Sequence, residues 1–359
     1  MTPAIRAEAA RLAAHFAAAG AEPVETAILQ EAGVLLDLYG EDIRARAYVT
    51  YDPLRGEMML RPDFTVPLVR AHMDSGRAEA RYAYAGEVFR RQEEETGRPS
   101  EYIQVGFEVF GGTFPEADAE VFSVISGALD GLPLRAVTGD IALIVAAVSG
   151  LQTLPARKAA LLRHIWRPRR FRALMERFAG RAPAPAGRAA LLAAADPFAE
   201  AGPEIGKRTG AEIAERLRLL AEDAAAPPIS AGELALIDEI LGLRAPLPEA
   251  IGALEEIAMA LPAIEPALTR LRQRTEALAA RGLSPDALDF EASFGRTALE
   301  YYDGFVFGLV APGRPDLPAL ATGGRYDALT RVLGGGRAAP AVGGVIRPEL
   351  VLELKGEAP

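Results

Sequence analysis

The polar residues with the most informative spacing lie in the segment 101–110, where Gln104, Gly106 and Glu108 recur at every second position. Between and beside them lie four apolar residues, Ile103, Val105, Phe107 and Val109. In a β-strand this alternation places the polar set on one face and the apolar set on the other. A glutamine and a glutamate beside a glycine could form the floor of a ligand site, with the glycine leaving room for the ligand, or an ordinary solvent-exposed face. The alternation alone leaves both interpretations open.

Composition narrows the chemistry that this chain can perform. Its 359 residues include no cysteine, which excludes disulfides, thiolate metal sites and cysteine nucleophiles. Its three histidines, His15, His72 and His164, are too far apart in sequence to predict a pair of metal ligands, so we predict no metal site and no cofactor. The net charge of −10, from 49 acidic and 39 basic residues, counts against a protein that mainly binds nucleic acid.

No segment predicts insertion into a membrane or export. The longest apolar stretch covers residues 141–148, far short of the ~20 residues that a membrane-spanning helix needs. Near the N-terminus Arg6, Glu8 and Arg11 interrupt the apolar residues, so no signal-peptide core is expected. We expect a cytoplasmic protein.

The elements that position these residues are predicted from periodicity and turn residues. Thr2 and Pro3 are typical of a helix start and Gly20 of a helix end, so a first helix is expected between them. An extended run over 24–29 and a helix within 30–39 follow. The next stretch predicts strands 48–51, 57–61, 82–90 and 101–110 and a helix over 64–73.

Residues 151–280 differ in composition, with Ala, Leu, Arg and Glu at helical spacing and a capping-box pattern at Ser230 and Glu233. Strand patterns return near Leu288. We therefore predict an α+β fold in which residues 1–150 and 281–359 form a mixed, mainly antiparallel sheet and 151–280 form an inserted helical subdomain. A basic run in this region is either a solvated face or a site for an anionic partner: Arg163, Arg167, Arg169, Arg170 and Arg172.

Several groups of residues, in this order, resemble motifs of the histidyl-tRNA synthetases, which are class II aminoacyl-tRNA synthetases. They are 60–65 (Leu-Arg-Pro-Asp-Phe-Thr, substrate binding), Arg90 with 104–108 (Gln-Val-Gly-Phe-Glu, motif 2), 299–302 (Leu-Glu-Tyr-Tyr) with 306–307, 323–327 (Gly-Gly-Arg-Tyr-Asp) and 341–343 (motif 3). The resemblance covers about 20–150 and 285–350 and implies a class II synthetase-like core.

The resemblance also implies roles for seven residues in a pocket for histidine. Asp63, Thr65 and Gln104 would meet the α-amino group of the ligand. Glu108 and either Tyr301 or Tyr302 would meet the imidazole, because a carboxylate and a phenol can accept from and donate to the two ring nitrogens. Arg90 would hold the ligand carboxylate or another anion.

Other positions depart from the synthetase pattern. The arginine that begins the tyrosine segment is replaced by Thr297, and Arg296, one residue earlier, would point to the opposite face if this segment were a strand. Leu350 stands where motif 3 has a nucleotide-binding arginine, and Pro348 is expected to disturb the helix start there. Losing one such preorganised charge typically costs ~10²–10³ in rate. We also expect no anticodon-binding domain.

This combination is similar to the family of regulatory subunits of short-form ATP phosphoribosyltransferase. That resemblance implies a chain with no catalytic residues that forms a hetero-oligomer with the catalytic phosphoribosyltransferase subunit in the first step of histidine biosynthesis. It implies L-histidine as the feedback effector and self-association as a dimer through the region 24–29. The alternatives are a tRNA ligase, a synthetase-like ligase for another acceptor, or a structural scaffold with an empty pocket.

Overall fold

The computed structural model describes residues 2–39, 43–92, 99–183, 185–199, 202, 205–296 and 301–357. Within these residues the strands form a nine-stranded sheet and a separate three-stranded sheet. The strands are β1 (Glu22–Pro23), β2 (Leu29–Glu31), β3 (Val49–Asp52), β4 (Gly56–Leu60), β5 (Ala80–Phe89), β6 (Glu101–Phe110), β7 (Arg135–Asp140), β8 (Arg244–Pro246), β9 (Leu288–Glu291), β10 (Phe305–Val310), β11 (Ala321–Arg325) and β12 (Ala341–Ile346). The order of the large sheet is β1-β5-β6-β12-β11-β10-β7-β9-β8 and that of the small sheet is β2-β4-β3.

Helices pack against the large sheet and form most of the region 151–280. They are α1 (Pro3–Ala18), α2 (Ala32–Tyr39), α3 (Ile43–Arg46), α4 (Thr65–Ser75), α5 (Glu116–Gly127), α6 (Ile141–Gly150), α7 (Pro155–Arg163), α8 (Pro168–Phe178), α9 (Ala186–Ala193), α10 (Gly210–Ala225), α11 (Ala231–Gly242), α12 (Leu247–Ala260), α13 (Glu265–Ala280), α14 (Asp327–Leu333) and α15 (Pro348–Lys355). The predicted caps are present, since Thr2 accepts from the backbone N–H of Ile5 and Ser230 forms a reciprocal capping box with Glu233. In the described part of the chain, no helix combines the length and the apolar character needed to cross a membrane.

The large sheet is mixed and mainly antiparallel, as predicted. Its β1–β5 and β7–β9 neighbours are parallel, and its other neighbouring strands are antiparallel. Strand β6 covers the predicted residues and lies between β5 and β12. On its apolar face Phe107 packs against Phe16 of α1, with ring centroids 5.7 Å apart. Its polar face is buried as well, since Gln104 is 3% and Glu108 2% exposed, so the solvent-exposed interpretation of that face is wrong.

The region 151–280 also contributes a strand to the large sheet. Strand β8 lies in this region and pairs antiparallel with β9, so that Ala245 is opposite Phe290. The mainly helical region is therefore continuous with the sheet through backbone hydrogen bonds.

A buried network of charges ties α13 to the sheet. Arg274 of α13 donates to Asp140 at 2.8 Å and to Asp118 of α5 at 3.4 Å. Asp118 also accepts from Arg325 of β11 at 2.7 Å. All four side chains are at most 4% exposed. Burial raises the pKa of Asp118, and the two arginines that face it lower that pKa by less than burial raises it. The buried charge of Asp118 therefore depends on keeping both arginine partners.

Each edge of the large sheet is a very short strand that contains one charged residue and one proline. At one edge β1 is Glu22–Pro23, and Pro23 lies opposite Ala83. At the other edge β8 begins with Arg244 and ends with Pro246. A proline has no N–H to donate, which is why it occurs at sheet edges and not in central strands.

One local prediction is wrong. The run 24–29 is not a single strand, because the chain leaves the large sheet after β1 and enters the small sheet only at Leu29. Between these points Arg61 donates to the backbone oxygen of Thr26 at 2.6 Å and to that of Glu87 at 2.7 Å. The guanidinium satisfies a carbonyl of this irregular segment, which therefore needs no strand partner there.

Candidate functional site

A cleft over the polar face of β6 brings together all seven residues that the sequence assigned to a ligand pocket. They are Asp63, Thr65, Arg90, Gln104, Glu108, Tyr301 and Tyr302. The empty space in the cleft is about 300 Å³, counting the part that opens to solvent. Five further residues line it: Tyr84, Tyr326, Gly343, Gly344 and Val345.

Glu108 is the centre of the hydrogen bonding in this cleft. Its Oε2 accepts from the Tyr326 hydroxyl at 2.6 Å, and its Oε1 accepts from Tyr84 at 3.2 Å and from Thr65 at 3.4 Å. Three hydroxyl groups from three different elements thus converge on one buried carboxylate. Each hydroxyl also has lone pairs with which it can accept from a ligand.

Burial raises the pKa of Glu108 to about 7. The hydrogen bonds from Tyr326, Tyr84 and Thr65 act in the opposite direction, and the nearby Asp63 carboxylate adds to the increase. Burial and the Glu108 charge also raise the pKa values of Tyr84 and Tyr326, so both phenols remain protonated donors. The carboxylate therefore changes its charge close to neutral pH while its hydroxyl partners do not.

Two glycines make room for this arrangement. Gly343 of β12 lies opposite Glu108, and a Cβ there would lie 1.4 Å from Glu108 Oε2. Gly106 lies opposite Tyr84, and a Cβ there would lie 2.1 Å from the Tyr84 ring. The expectation that Gly106 leaves a space for the ligand is therefore wrong, because the Tyr84 side chain of the neighbouring strand occupies that space.

Asp63 and Thr65 are positioned by the start of α4. Asp63 is 5% exposed and accepts from the backbone N–H of Val66 at 3.2 Å, which satisfies one of the unpaired amides at a helix start. The Thr65 hydroxyl donates to Glu108. The resemblance assigned Thr65 to the α-amino group of the ligand and Glu108 to the imidazole, so the two assigned regions are in direct contact. Arg90 follows β5 and donates from Nε to the backbone oxygen of Pro62 at 2.9 Å, so it lies beside the same segment.

Tyr301 and Tyr302 both line the cleft, and both are buried. Their rings are 5.0 Å apart in an edge-to-face arrangement, and Tyr301 meets Tyr326 in the same way at 5.9 Å. Trp166, after α7, donates from its indole N–H to the backbone oxygen of Tyr302 at 3.3 Å. The tyrosine wall of the cleft is thus in contact with the region 151–280.

The positions that depart from the synthetase motifs do not bring a cation to the cleft. Arg296 lies in a turn and not in a strand, which corrects the reason given for its orientation. Its Nε donates to the backbone oxygen of Ile165 at 2.7 Å, away from Glu108. Leu350 is half-buried in α15, and Pro348 occupies the first turn of that helix without disturbing it, as proline at this position commonly does. Thr297, Leu299 and Glu300 lie outside the described residues.

The sequence motifs did not identify the five additional residues that line the cleft. Several of them are placed there by the register between neighbouring strands, which the motifs do not contain. Tyr84 faces the cleft because it lies opposite Gly106, and the alternation of Tyr82, Tyr84 and Gly86 on β5 was the available signal. Tyr326 reaches Glu108 across 218 residues of sequence. Among the described residues, no group of three or more His, Asp or Glu side chains could hold a metal ion.

The arrangement suits recognition of a small ligand with a ring N–H. The cleft presents two carboxylates, one guanidinium, four phenols, one threonine hydroxyl and one amide, and Gln104 and Glu108 on its floor are buried. Buried polar groups of this kind reject ligands that leave them unpaired.

Comparison with known proteins places this fold in a class. Residues 2–351 match the sequence model described as histidyl-tRNA synthetase. An ATP phosphoribosyltransferase regulatory subunit/histidyl-tRNA synthetase from Bacillus halodurans has a similar fold, with a TM-score of 0.69, 21% identity and coverage of 98% of this chain and 79% of that one. A histidyl-tRNA synthetase from Nostoc gives a TM-score of 0.66 at 15% identity, covering 98% and 72% of the two chains. The fold is that of the histidyl-tRNA synthetase-like class II proteins.

Relatives with higher sequence identity identify the family within that class. The ATP phosphoribosyltransferase regulatory subunit of Brucella anthropi is 33% identical over 94% of both chains. That of Agrobacterium fabrum is 35% identical over 93% of both chains. The chain belongs to the family of ATP phosphoribosyltransferase regulatory subunits.

Proposed function

We propose that this chain is the non-catalytic regulatory subunit of an ATP phosphoribosyltransferase and that its cleft binds L-histidine as the feedback effector. Family membership over nearly the whole chain supports the first part. The observation that carries the second part is the convergence of seven motif residues around the buried Glu108. The partner is the catalytic phosphoribosyltransferase subunit, and the reaction is the first step of histidine biosynthesis.

In the proposed complex Glu108 accepts a hydrogen bond from an imidazole N–H, and one of Tyr301 and Tyr302 donates to the other ring nitrogen. Asp63, Thr65 and Gln104 meet the α-amino group, and Arg90 meets the ligand carboxylate. The Thr65 hydroxyl donates to Glu108 at 3.4 Å, and its lone pairs can accept from the amino group at the same time. A buried carboxylate with hydroxyl partners favours a ligand that brings its own N–H donors.

We further propose that synthetase activity is absent. Activation of an amino acid by ATP needs cations placed on the phosphates in the transition state. Leu350 supplies no charge, and the Arg296 guanidinium contacts Ile165 and the Phe171 ring instead. Histidine-dependent exchange between ATP and pyrophosphate is expected to stay at background. Exchange at ordinary synthetase rates would contradict this part of the proposal alone.

Self-association as a dimer is proposed to involve the small sheet. Its exposed apolar residues include Leu29, Val49 and Tyr51, which are 37%, 45% and 73% exposed, and Leu54 in the turn between β3 and β4 is 95% exposed. Large apolar side chains clustered on one exposed sheet are typical of a contact surface. Replacing Tyr51 and Leu54 by Asp should convert a dimer to a monomer in sedimentation analysis. The exposed Met259, 79% exposed on α12, provides a control replacement that should leave the mass unchanged.

The central experiment measures the catalytic subunit with and without this chain and with and without histidine. We expect the two proteins to co-migrate on gel filtration at micromolar concentration, the rate to rise on mixing, and histidine to reduce that rate. Separate migration with an unchanged rate would refute the regulatory assignment. Activation without any histidine binding by this chain in calorimetry would support the scaffold alternative and refute the effector pocket.

A further inference from the structure

A basic corner joins α7 to α8. It is the segment 163–172, which holds five arginines and no carboxylate. Arg163, Arg169 and Arg170 are exposed and form no ion pair with any residue that the structure describes. Arg172, by contrast, pairs with Asp238 of α11 and with Glu176. Three unpaired cations thus lie together on a chain whose net charge is −10.

The chemistry of the corner fits an acidic protein surface better than a nucleic acid. Proteins that bind a phosphate backbone strongly make about 6–10 phosphate contacts, more than three guanidiniums can supply. Three guanidiniums on a helix corner match a small cluster of carboxylates on a partner protein, where planar bidentate pairing adds geometric specificity.

One hydrogen bond connects the corner to the wall of the cleft, and a second connects it to the turn after β9. The indole N–H of Trp166 donates to the backbone oxygen of Tyr302 at 3.3 Å, and Nε of Arg296 donates to the backbone oxygen of Ile165 at 2.7 Å. Tyr302 itself lines the cleft. We refer to these two bonds as the latch. The Trp166 bond of the latch places the corner in direct contact with the tyrosine wall.

Arg296 explains why the latch resists opening. Its side chain is 5% exposed, and burial lowers its pKa. Its guanidinium lies over the Phe171 ring at 4.9 Å, and it forms no ion pair with a described residue. One of its terminal nitrogens is buried without a hydrogen-bond partner. Moving Ile165 and Phe171 of the corner away from Arg296 would leave this buried charge with still fewer favourable contacts, which is costly.

We infer that the basic corner docks an acidic surface of the partner protein and that the latch makes this docking depend on whether the cleft is occupied. The inference rests on the proposed function for the identity of that partner, the catalytic subunit. A ligand that engages Tyr301 or Tyr302 moves the Tyr302 carbonyl, the Trp166 indole follows it, and the arginines of the corner change position relative to the partner.

Charge reversal tests the docking surface. The triple variant Arg163→Glu, Arg169→Glu, Arg170→Glu should bind the catalytic subunit at least about tenfold more weakly, mainly through a lower association rate at low salt. The control reverses three exposed arginines on other parts of the chain, Arg6, Arg208 and Arg331, and produces the same change in net charge. This control should bind like the wild type.

The outcomes separate the inference from the proposed function. If the wild-type chain does not bind the catalytic subunit, the proposed function is wrong and the inference fails with it. If the wild type binds and the triple variant binds equally well, only the inference is wrong. If the triple variant loses binding to tRNA or duplex DNA but keeps the catalytic subunit, the corner serves nucleic acid and the inference is also wrong.

Trp166 provides a direct test of the coupling because it is the only tryptophan in the chain. Histidine should change its fluorescence saturably, with a midpoint equal to the Kd from calorimetry. Arg296→Met should keep calorimetric binding within about threefold but lose the fluorescence change and the histidine effect on catalytic-subunit binding. Arg296→Lys, which keeps the charge, serves as the second variant if the first does not fold. Binding by calorimetry with unchanged Trp166 emission in the wild type would refute the coupling.

Discussion

Replacement of Glu108 by glutamine should weaken histidine binding in a pH-dependent manner. The amide has the same shape as the carboxylate, so its oxygen can still accept from Tyr326 at the 2.6 Å position. Its NH₂ group can donate to the Tyr84 and Thr65 hydroxyls, which accept as well as donate. The fold should therefore survive, whereas Glu108→Ala would leave three hydroxyls without their acceptor.

The magnitude follows from the change in hydrogen-bond type. A bond to a charged group contributes about 1.5–3 kcal/mol and a neutral bond about 0.5–1.5 kcal/mol, so the variant loses about 1–1.5 kcal/mol, or roughly tenfold in affinity. Because burial raises the pKa of Glu108 to about 7, the group is charged in roughly nine-tenths of molecules at about pH 8 and roughly one-tenth at about pH 6. The advantage of the wild type should be full at the higher pH and nearly absent at the lower one.

Calorimetric titration of histidine into both proteins at about pH 6, 7 and 8 measures this ratio. Both proteins meet the same mixture of protonated and neutral imidazole at each pH, so the populations of the free ligand are identical in the two titrations. Glu8→Gln is the control, because Glu8 is also buried but pairs with Arg11 and Lys355 outside the cleft, and it should not change the affinity. A ratio that stays constant with pH, or equal affinities at pH 8, would refute the role given to the Glu108 charge.

Other perturbations have equally definite outcomes. The raised pKa of Glu108 means that the folded state holds this proton more tightly than the unfolded chain does. The free energy of unfolding of the wild type should therefore fall as the pH rises from about 4.5 to about 7, by up to about 3 kcal/mol. Glu108→Gln lacks this titration, so thermal unfolding should show the variant becoming more stable relative to the wild type over that range. Gly343→Ala should displace the Glu108 carboxylate and reduce histidine affinity at least tenfold in calorimetry, whereas Gly252→Ala, with open space around it, should not. Arg274→Met should leave the buried carboxylates of Asp118 and Asp140 without one of their cationic partners. The free energy of unfolding in denaturant titration should fall by about 3–5 kcal/mol. A loss below about 1 kcal/mol would show that the network is not coupled.

Local sequence patterns were sufficient to predict β6 and which of its residues share the polar face. Alternation fixes which residues share a face, and the structure has the strand at 101–110. The same pattern could not show that both faces are buried, because the cover over Glu108 comes from Tyr84 on the neighbouring β5 and from Tyr326, which follows β11 two strands away. Likewise, the space above Gly106 could be interpreted only with the register that puts Tyr84 opposite it.

Arg296 illustrates a different limit. The argument from a one-residue shift assumes a strand, in which neighbouring side chains alternate, but the residue lies in a turn after β9. Its orientation is set by Ile165 and Phe171, which are more than a hundred residues away in sequence. No local pattern contains that information, whereas the family motifs correctly grouped seven residues from separate segments in one cleft.

The two short strands at the sheet edges have a consequence for how this protein can assemble. An open nine-stranded sheet could template growth at either end, strand upon strand, into filaments. Here one edge carries Glu22 and Pro23 and the other carries Arg244 and Pro246, so each outer ladder is short, charged and interrupted by a residue without an N–H. Polymerisation through backbone pairing is thereby disfavoured at both ends. Association is left to side-chain surfaces, which can close on themselves into complexes of finite copy number.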